Sequence, residues 1–323
     1  MSSAVEVLDV DLLAFERGDG AARRAVVDGV LRSLGTGFVY TSHDVPEDLL
    51  DEAYGMLAQF FDLPAATKVR WEVPESHGAT GYTGVLVEKA ATADAADWKE
   101  MLNWGTDLDP GHPLRRRYPS HYCDQVLPEA DVAGISAVLT AFHERVLDIQ
   151  RRFLRIVAVG LGCDERYFDD LLAGGTTLTR AIHYPPMASA PAPGHVWAAS
   201  HSDINLITAL PRASGPGLQL LTDAGWADVE ARPGQMIINS GIMLERLTNG
   251  VLPAGLHRVV APDGGGPSGD RYSVVQFCHP APWFVLSPLD SCVTPERPRR
   301  YGAIEAAALL EQVLWDINLI RPA

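Results

Sequence analysis

The sequence predicts an α+β chain, mainly β, whose core is a sandwich, barrel or jelly roll of short strands. Three observations predict it. Short runs with strand composition crowd between Thr176 and Leu289, bounded by Pro, Gly, Asp and Asn. Residues 1–175 carry mostly helical periodicity instead, and a last helical run, Ala303–Ile320, closes the chain. The expected organisation is therefore a mainly helical region over 1–175 packing on a core over 176–290, followed by a C-terminal helix within 291–323.

Taken in order, Ala21–Leu34 places apolar residues at helical spacing and stops at Gly35. Pro46–Phe61 opens with Pro, Glu and Asp, as a helix N-terminus prefers, and is amphipathic through Leu49, Leu50, Ala53 and Leu57. Asp131–Leu161 carries the strongest apolar stripe (Ile135, Val138, Leu139, Phe142, Val146, Ile149, Phe153, Ile156) and ends at Gly160 and Gly162. The strand runs are Leu178–Tyr184, Asn205–Leu210, Leu218–Leu221, Met236–Asn239, His257–Ala261 and Tyr272–His279. Leu63-Pro64 and Pro185–Pro193 read as loops rather than domain linkers. The tract GGGPSG at 264–269 lacks a following helix, so it reads as a hairpin loop rather than a phosphate cradle.

Composition excludes several classes. A net charge of −15 over 323 residues argues against a nucleic-acid binder, though one basic pocket on an acidic protein can still take an anionic substrate. No stretch of about 18 apolar residues offers a membrane span. The start, MSSAVEVLDVDLL, has no basic segment followed by an apolar one, so no secretory signal is expected. Cys123, Cys163, Cys278 and Cys292 form no C-x-x-C pair and read as reduced thiols of a cytoplasmic protein.

The chemistry concentrates in SHSDINLIT. On a strand, His201 and Asp203 would share one face, about 7 Å apart along the chain. A distant strand must then supply a third ligand, and His257 in GLHRVV is the candidate. Two imidazoles and one carboxylate on one face of an octahedron leave three positions open and suit iron(II); zinc with the same ligands stays open, though no general base is identifiable. H-x-D alone arises readily by chance. It gains weight from Arg271-Tyr272-Ser273, where a guanidinium and a hydroxyl at i and i+2 make a carboxylate receptor.

With these motifs in order, the chain resembles the isopenicillin N synthase-like branch of the iron(II)/2-oxoglutarate-dependent dioxygenases. The similar segments are IHYPP (182–186), HSDINLIT (201–208), GLQLL (217–221), GWADV (225–229), PGQMIINSG (233–241), LERLTNG (244–250), HRVV (257–260) and RYSVVQF (271–277). GFVYTSHDV (37–45), FFDLP (60–64), Lys68, and GY followed by DWKEML (81–102) extend the likeness over most of the chain. The resemblance implies a double-stranded β-helix, or jelly-roll, core with an N-terminal helical region and a C-terminal helix. It implies iron held by His201, Asp203 and His257, and the distal carboxylate of 2-oxoglutarate held by Arg271 and Ser273. Tyr184 would line the same cavity, with a packed strand aromatic as the equal alternative. Asn239 would support the site or form a turn. Dioxygen and a small molecule would be the other reactants, with hydroxylation of a C–H bond the commonest outcome and desaturation or cyclisation also open, in secondary or amino-acid metabolism.

Two departures matter. Asn239-Ser240-Gly241-Ile242 lacks an Asp that many members carry, and the 204–208 segment is closer to isopenicillin N synthase, which uses no 2-oxoglutarate. A 2-oxoglutarate-independent oxidase or cyclase of that type is therefore the alternative. A non-catalytic sensor on the same fold is disfavoured by the intact triad. Walls for the substrate would come from His77–Trp104, where Glu88 and Trp98 stand out, and from the last helix. Arg115-Arg116-Arg117 reads as a solvated charge run. The sequence leaves the oligomeric state open and is compatible with a monomer.

Overall fold

The computed structural model describes residues 7–89, 95–190, 195–261 and 269–316. Most of the GGGPSG tract, the extreme N-terminus and the end of the last helix beyond Asp316 lie outside them.

Two sheets face each other. The larger has eight strands: β1 (Asp9–Val10), β2 (Phe38–Ser42), β3 (Gly81–Thr83), β4 (Glu100–Gly105), β5 (Leu178–Tyr184), β7 (Ile207–Ala213), β10 (Gln235–Ser240) and β12 (Arg271–Cys278). Their spatial order is β1-β2-β10-β7-β12-β5-β4-β3, antiparallel except where β1 joins β2. The smaller sheet is β6 (Ala198–His201), β11 (His257–Val259), β8 (Leu218–Thr222) and β9 (Gly225–Asp228), in that order. A short pair, β13 (Val285–Leu286) and β14 (Ile304–Glu305), lies near the C-terminus.

Strand alternation sorts side chains into two cores. Met101, Ile182, Tyr184, Leu210 and Ile237 from the large sheet meet Ala198, Leu218, Leu220 and Val259 from the small one. This inter-sheet layer is the interior of the jelly roll. The opposite face of the large sheet offers Val39, Leu102, Ala181, Ile207, Ala209, Met236, Ile238 and Val274 to the helices. Those helices are α1 (Leu12–Arg17), α2 (Gly20–Leu34), α3 (Glu47–Phe61), α4 (Ala65–Lys68), α5 (Pro113–Arg117), α6 (Ile135–Gly160) and α7 (Tyr167–Leu172); α8 (Ile242–Leu247) and α9 (Ala306–Asp316) follow later.

The expected helices form, with two starts corrected: the last begins at Ala306 rather than Ala303, because Ile304 and Glu305 pair with β13 as β14. The third begins at Ile135, not Asp131, because Gly134 takes φ 84° and breaks the run, while Asp131 is drawn aside to accept from the Arg70 and Trp71 side chains. The strand after Asp203 begins at Ile207 rather than Asn205 and runs on to Ala213. Residues before 176 are mainly helical, yet they also supply β1, β2, β3 and β4, half of the large sheet.

Candidate functional site

His201 ends β6 and His257 begins β11, and the two pair directly in the ladder, with ring centroids 4.5 Å apart. Asp203 does not continue the strand, as a shared strand face would require. It sits in the bend after β6, which folds back so that Asp203 Oδ1 lies 3.8 Å from His201 Nε2 and 3.9 Å from His257 Nε2. The three ligand atoms lie within 4.8 Å of one another.

Each side chain is oriented from behind. His201 Nδ1 is 2.8 Å from the Ala199 carbonyl and His257 Nδ1 is 3.0 Å from that of Gly255. A ring N–H must donate to each carbonyl, so both Nε2 atoms are left as lone-pair acceptors. Asp203 Oδ2 accepts from Thr208 Oγ1 at 2.6 Å and Asn239 Nδ2 at 2.8 Å, leaving Oδ1 for the site. The Asp203 backbone is gripped as well: its carbonyl accepts from Ile242 N at 2.8 Å, and Gly241 lies so close that a Cβ there would meet Asn205 O at 2.1 Å.

Burial, then the neighbouring His257 and Lys99, push His201 down to about 4, so it is neutral and ligand-ready near neutral pH. Burial pushes the Asp203 carboxyl up, but His257, His201 and the two donors on Oδ2 outweigh it and hold it below its ordinary value. Two imidazoles and one carboxylate facing a common point fit an iron(II) ion with open positions.

Arg271 and Ser273 share a face of β12, with Nη1 3.3 Å from Ser273 Oγ. Arg271 is 3% exposed and its Nε is spent on the carbonyls of Gly215 and Pro216. Among the described residues no carboxylate forms an ion pair with it. Such a guanidinium, buried and locked in place, is a receptor for an anion. It lines a cleft of about 310 Å³ together with Leu210, Leu218, Val229 and Ile237, the inter-sheet residues. Tyr184, opposite Arg271 in the ladder, places its ring 4.9 Å from the guanidinium carbon. It is a packed strand aromatic of the inter-sheet layer, beside Arg271 but not among the residues that line this cleft.

Residues 175–280 match the family model of the 2OG-Fe(II) oxygenase superfamily, and residues 5–130 match that of the N-terminal region of non-haem dioxygenases in morphine synthesis. A 2-oxoglutarate-Fe(II) type oxidoreductase of Metarhizium rileyi is 30% identical over 302 residues, covering 88% of this chain and 82% of the relative. The chain belongs to the 2OG-Fe(II) oxygenase superfamily. Mugineic-acid 3-dioxygenase of Hordeum vulgare is 28% identical over 300 residues, covering 92% and 81%. The full-length Neurospora crassa protein crystallised with alpha-KG superposes with a TM-score of 0.83 at 26% identity, covering 98% of each chain. This oxygenase is accordingly a non-haem iron(II), 2-oxoglutarate-dependent dioxygenase of small molecules, and the cosubstrate-independent alternative is not favoured.

The remaining sequence candidates divide. Asn239 does support the site, through Asp203. Trp98 is structural: its Nε1 donates to Pro186 O at 3.2 Å and its ring packs on the inter-sheet core. Arg115, on α5, is held in ion pairs by Asp107 and Asp124. Glu88, by contrast, reaches into a charged cluster. Its Oε2 meets Lys99 Nζ at 3.0 Å and its Oε1 meets Arg180 Nη1 at 3.1 Å, while Lys99 also pairs with Asp97 at 2.9 Å. Thr208, Lys99 and Arg180 escaped the sequence reading. Thr208 lies within the H-x-D segment and its β-branched hydroxyl was the available signal; Arg180 left none, because its partners Asn103 and Glu88 are far away in the chain, whereas Lys99 stands two residues from Asp97.

Proposed function

We propose that His201, Asp203 and His257 hold the iron and that Arg271 and Ser273, walled by Tyr184, hold the distal carboxylate of 2-oxoglutarate. The reading rests chiefly on Asp203: with Oδ2 tied to Thr208 and Asn239, Oδ1 alone faces both imidazole Nε2 atoms. When bound, iron with 2-oxoglutarate supplies the reduction of dioxygen that oxidises a C–H bond. The chain's own share is orientation. The Ala199 and Gly255 carbonyls fix both imidazoles. The cleft beside Arg271 sets apolar side chains (Leu210, Leu218, Val229, Ile237) next to charged ones, which suits a short carbon chain ending in a carboxylate.

The main substrate is a small molecule, oxidised most simply by hydroxylation, in secondary or amino-acid metabolism. Relatives named for mugineic acids support that class. We place the oxygenase in the cytoplasm, acting on a small molecule with no nucleic-acid or membrane partner; among the described residues no helix is long and apolar enough to cross a membrane. The test is an anaerobic titration of 2-oxoglutarate into iron(II)-loaded protein, following the visible charge-transfer band of the chelated cosubstrate. A saturating band that vanishes in Asp203→Ala is expected. Iron binding without any band would return the cosubstrate-independent oxidase to first place.

A further inference from the structure

His183 stands on β5 between Ile182 and Tyr184, and strand alternation turns it away from the inter-sheet layer that those two join. It is 7% exposed. In the ladder Glu100 pairs with it from β4 and Tyr272 from β12. The Tyr272 ring stacks on the imidazole, with centroids 4.7 Å apart and planes 11° from parallel, and Phe61 of α3 packs at 5.3 Å. Both ring nitrogens meet carboxylates: Nδ1 lies 2.7 Å from Glu100 Oε1, and Nε2 lies 2.8 Å from Asp270 Oδ1.

A carboxylate oxygen only accepts, so each ring nitrogen must donate. A neutral imidazole has one N–H and one lone pair, and that lone pair would face a carboxylate oxygen at hydrogen-bonding distance. The arrangement closes only with an imidazolium. The charges agree, since His183 and Lys68 oppose Glu100 and Asp270. Glu100 is 4% exposed and accepts in addition from Lys68 Nζ at 2.8 Å and from the Tyr82 hydroxyl. Burial pushes its carboxyl up, but the bonds from His183, Lys68 and Tyr82 outweigh that and hold it below its ordinary value, so it stays an acceptor.

The position of Asp270 gives this bridge its meaning. Strand β12 begins at Arg271, so Asp270 is the residue through which the chain enters the ladder. Successive strand residues point to opposite faces, and Arg271 reaches the inter-sheet side when Asp270 lies on the helix side. The bond from His183, on the neighbouring strand, holds Asp270 there. The other side-chain bonds at this entry all come from the bend after β7: Ser214 Oγ accepts from Tyr272 N, and the Gly215 and Pro216 carbonyls accept from Arg271 Nε. On the β5 side, only His183 grips the residue that precedes Arg271 through its side chain.

We propose that His183, as an imidazolium bridging Glu100 and Asp270, is a positioning residue for cosubstrate binding: it fixes Asp270 on the helix side of β12 and so aims Arg271 at the distal carboxylate of 2-oxoglutarate. This rests on the role proposed above for Arg271. His183 touches no reactant, because it and Arg271 lie on opposite faces of the sheet. Its arm to Glu100 anchors the ring in the buried network, and its arm to Asp270 transmits the anchor to β12.

The two arms can be cut separately, since a Gln amide reaches about as far as the imidazole Nε2 and an Asn amide about as far as Nδ1. Each variant of the full chain, loaded anaerobically with iron(II), is titrated with 2-oxoglutarate, and Kd is read from the charge-transfer band. His183→Asn keeps Glu100 and loses Asp270, so Kd should rise about tenfold, whereas His183→Gln keeps Asp270 and should stay within about twofold of the wild type. Asp270→Ala, at a half-exposed side chain whose loss leaves the core intact, should match His183→Asn, and the double variant should add nothing further. Iron retention after desalting should be unchanged in all of them, because β6 and β11 belong to the other sheet. A merely structural His183 would weaken binding in step with the loss of stability in urea, whichever arm was cut. An unchanged Kd in Asp270→Ala, or an equal rise in His183→Gln and His183→Asn, would overturn the assignment. If Arg271→Leu itself left Kd unchanged, the cosubstrate reading beneath would fall first and take this role with it.

Discussion

Asp203 reaches the site with one oxygen already committed, and that division of labour sets the expected responses of single residues. Asp203→Ala removes the only anionic ligand and should abolish iron retention, measured by metal analysis after desalting. Thr208→Val or Asn239→Leu leaves the ligand but frees its second oxygen, so iron affinity should fall about 10- to 100-fold. On the proposed assignment, Arg271→Leu deletes a charge-assisted carboxylate contact worth about 1.5–3 kcal/mol, so the 2-oxoglutarate Kd read from the charge-transfer band should rise roughly 10- to 150-fold. An unchanged Kd would move the cosubstrate elsewhere. The candidate site was legible in the sequence because side chains of rare chemistry recur there in a fixed order: H-x-D, then a lone His, then R-x-S. What was not legible is how Asp203 arrives. Strand periodicity puts it beside His201 on β6, whereas the chain leaves the sheet after His201 and is pinned by Ile242 N and Gly241 from a segment far along the chain.

Helix α6 illustrates how one element secures the wall behind the site. Its His143, Gln150 and the facing Gln276 and Thr179 form a buried polar bridge to β5, β7 and β12: Gln150 donates to Ile207 O and Gln276 O, and Gln276 to His143 O and Thr179 Oγ1. Burial and then Arg151 push His143 from its ordinary 6.5 down to about 4. Between those values the unfolded chain binds a proton that the folded chain refuses, so stability falls as pH drops through that window. The loss amounts to about 3 kcal/mol at most. Urea unfolding at pH 7 and pH 5 should show a smaller difference for His143→Gln than for the wild type, and an equal difference would sink the assignment. A second element-scale constraint is the approach of β2 to the loop before β11. Gly37, at φ +88°, would place a Cβ 2.4 Å from Gly255 Cα, and Gly255 O orients His257. Gly37→Ala should therefore lower both thermal stability and iron affinity. The long amphipathic helices were readable because α2, α3 and α6 bury regular apolar stripes. Strands β2 and β4 were not read as strands: β4 is buried on both faces and carries Glu100 and Asn103 among its apolar residues, so it lacks alternation.

Across the whole molecule, the join between the helical half and the jelly roll is ionic as well as apolar. Lys68 of α4 donates to Glu100 of β4 at 2.8 Å; Tyr82 donates to the same carboxylate, and His183 of β5 spans from Glu100 at 2.7 Å to Asp270 at 2.8 Å. Lys68→Met would leave Glu100 buried with one cationic partner fewer, and a loss of about 3 kcal/mol in denaturant unfolding is expected. Little change would mean that Tyr82 and His183 satisfy the carboxylate on their own. Strand β2 has β1 on one side and β10 on the other. During synthesis it leaves the ribosome long before Gln235, the first residue of β10, has been made. At about 5–20 residues per second the nascent chain carries that unfilled edge for roughly 10–40 s. Nor can the second half complete the large sheet alone. For this oxygenase, then, the vulnerable interval falls during translation, when a bare β2 edge is open to chaperones or to a neighbouring nascent chain.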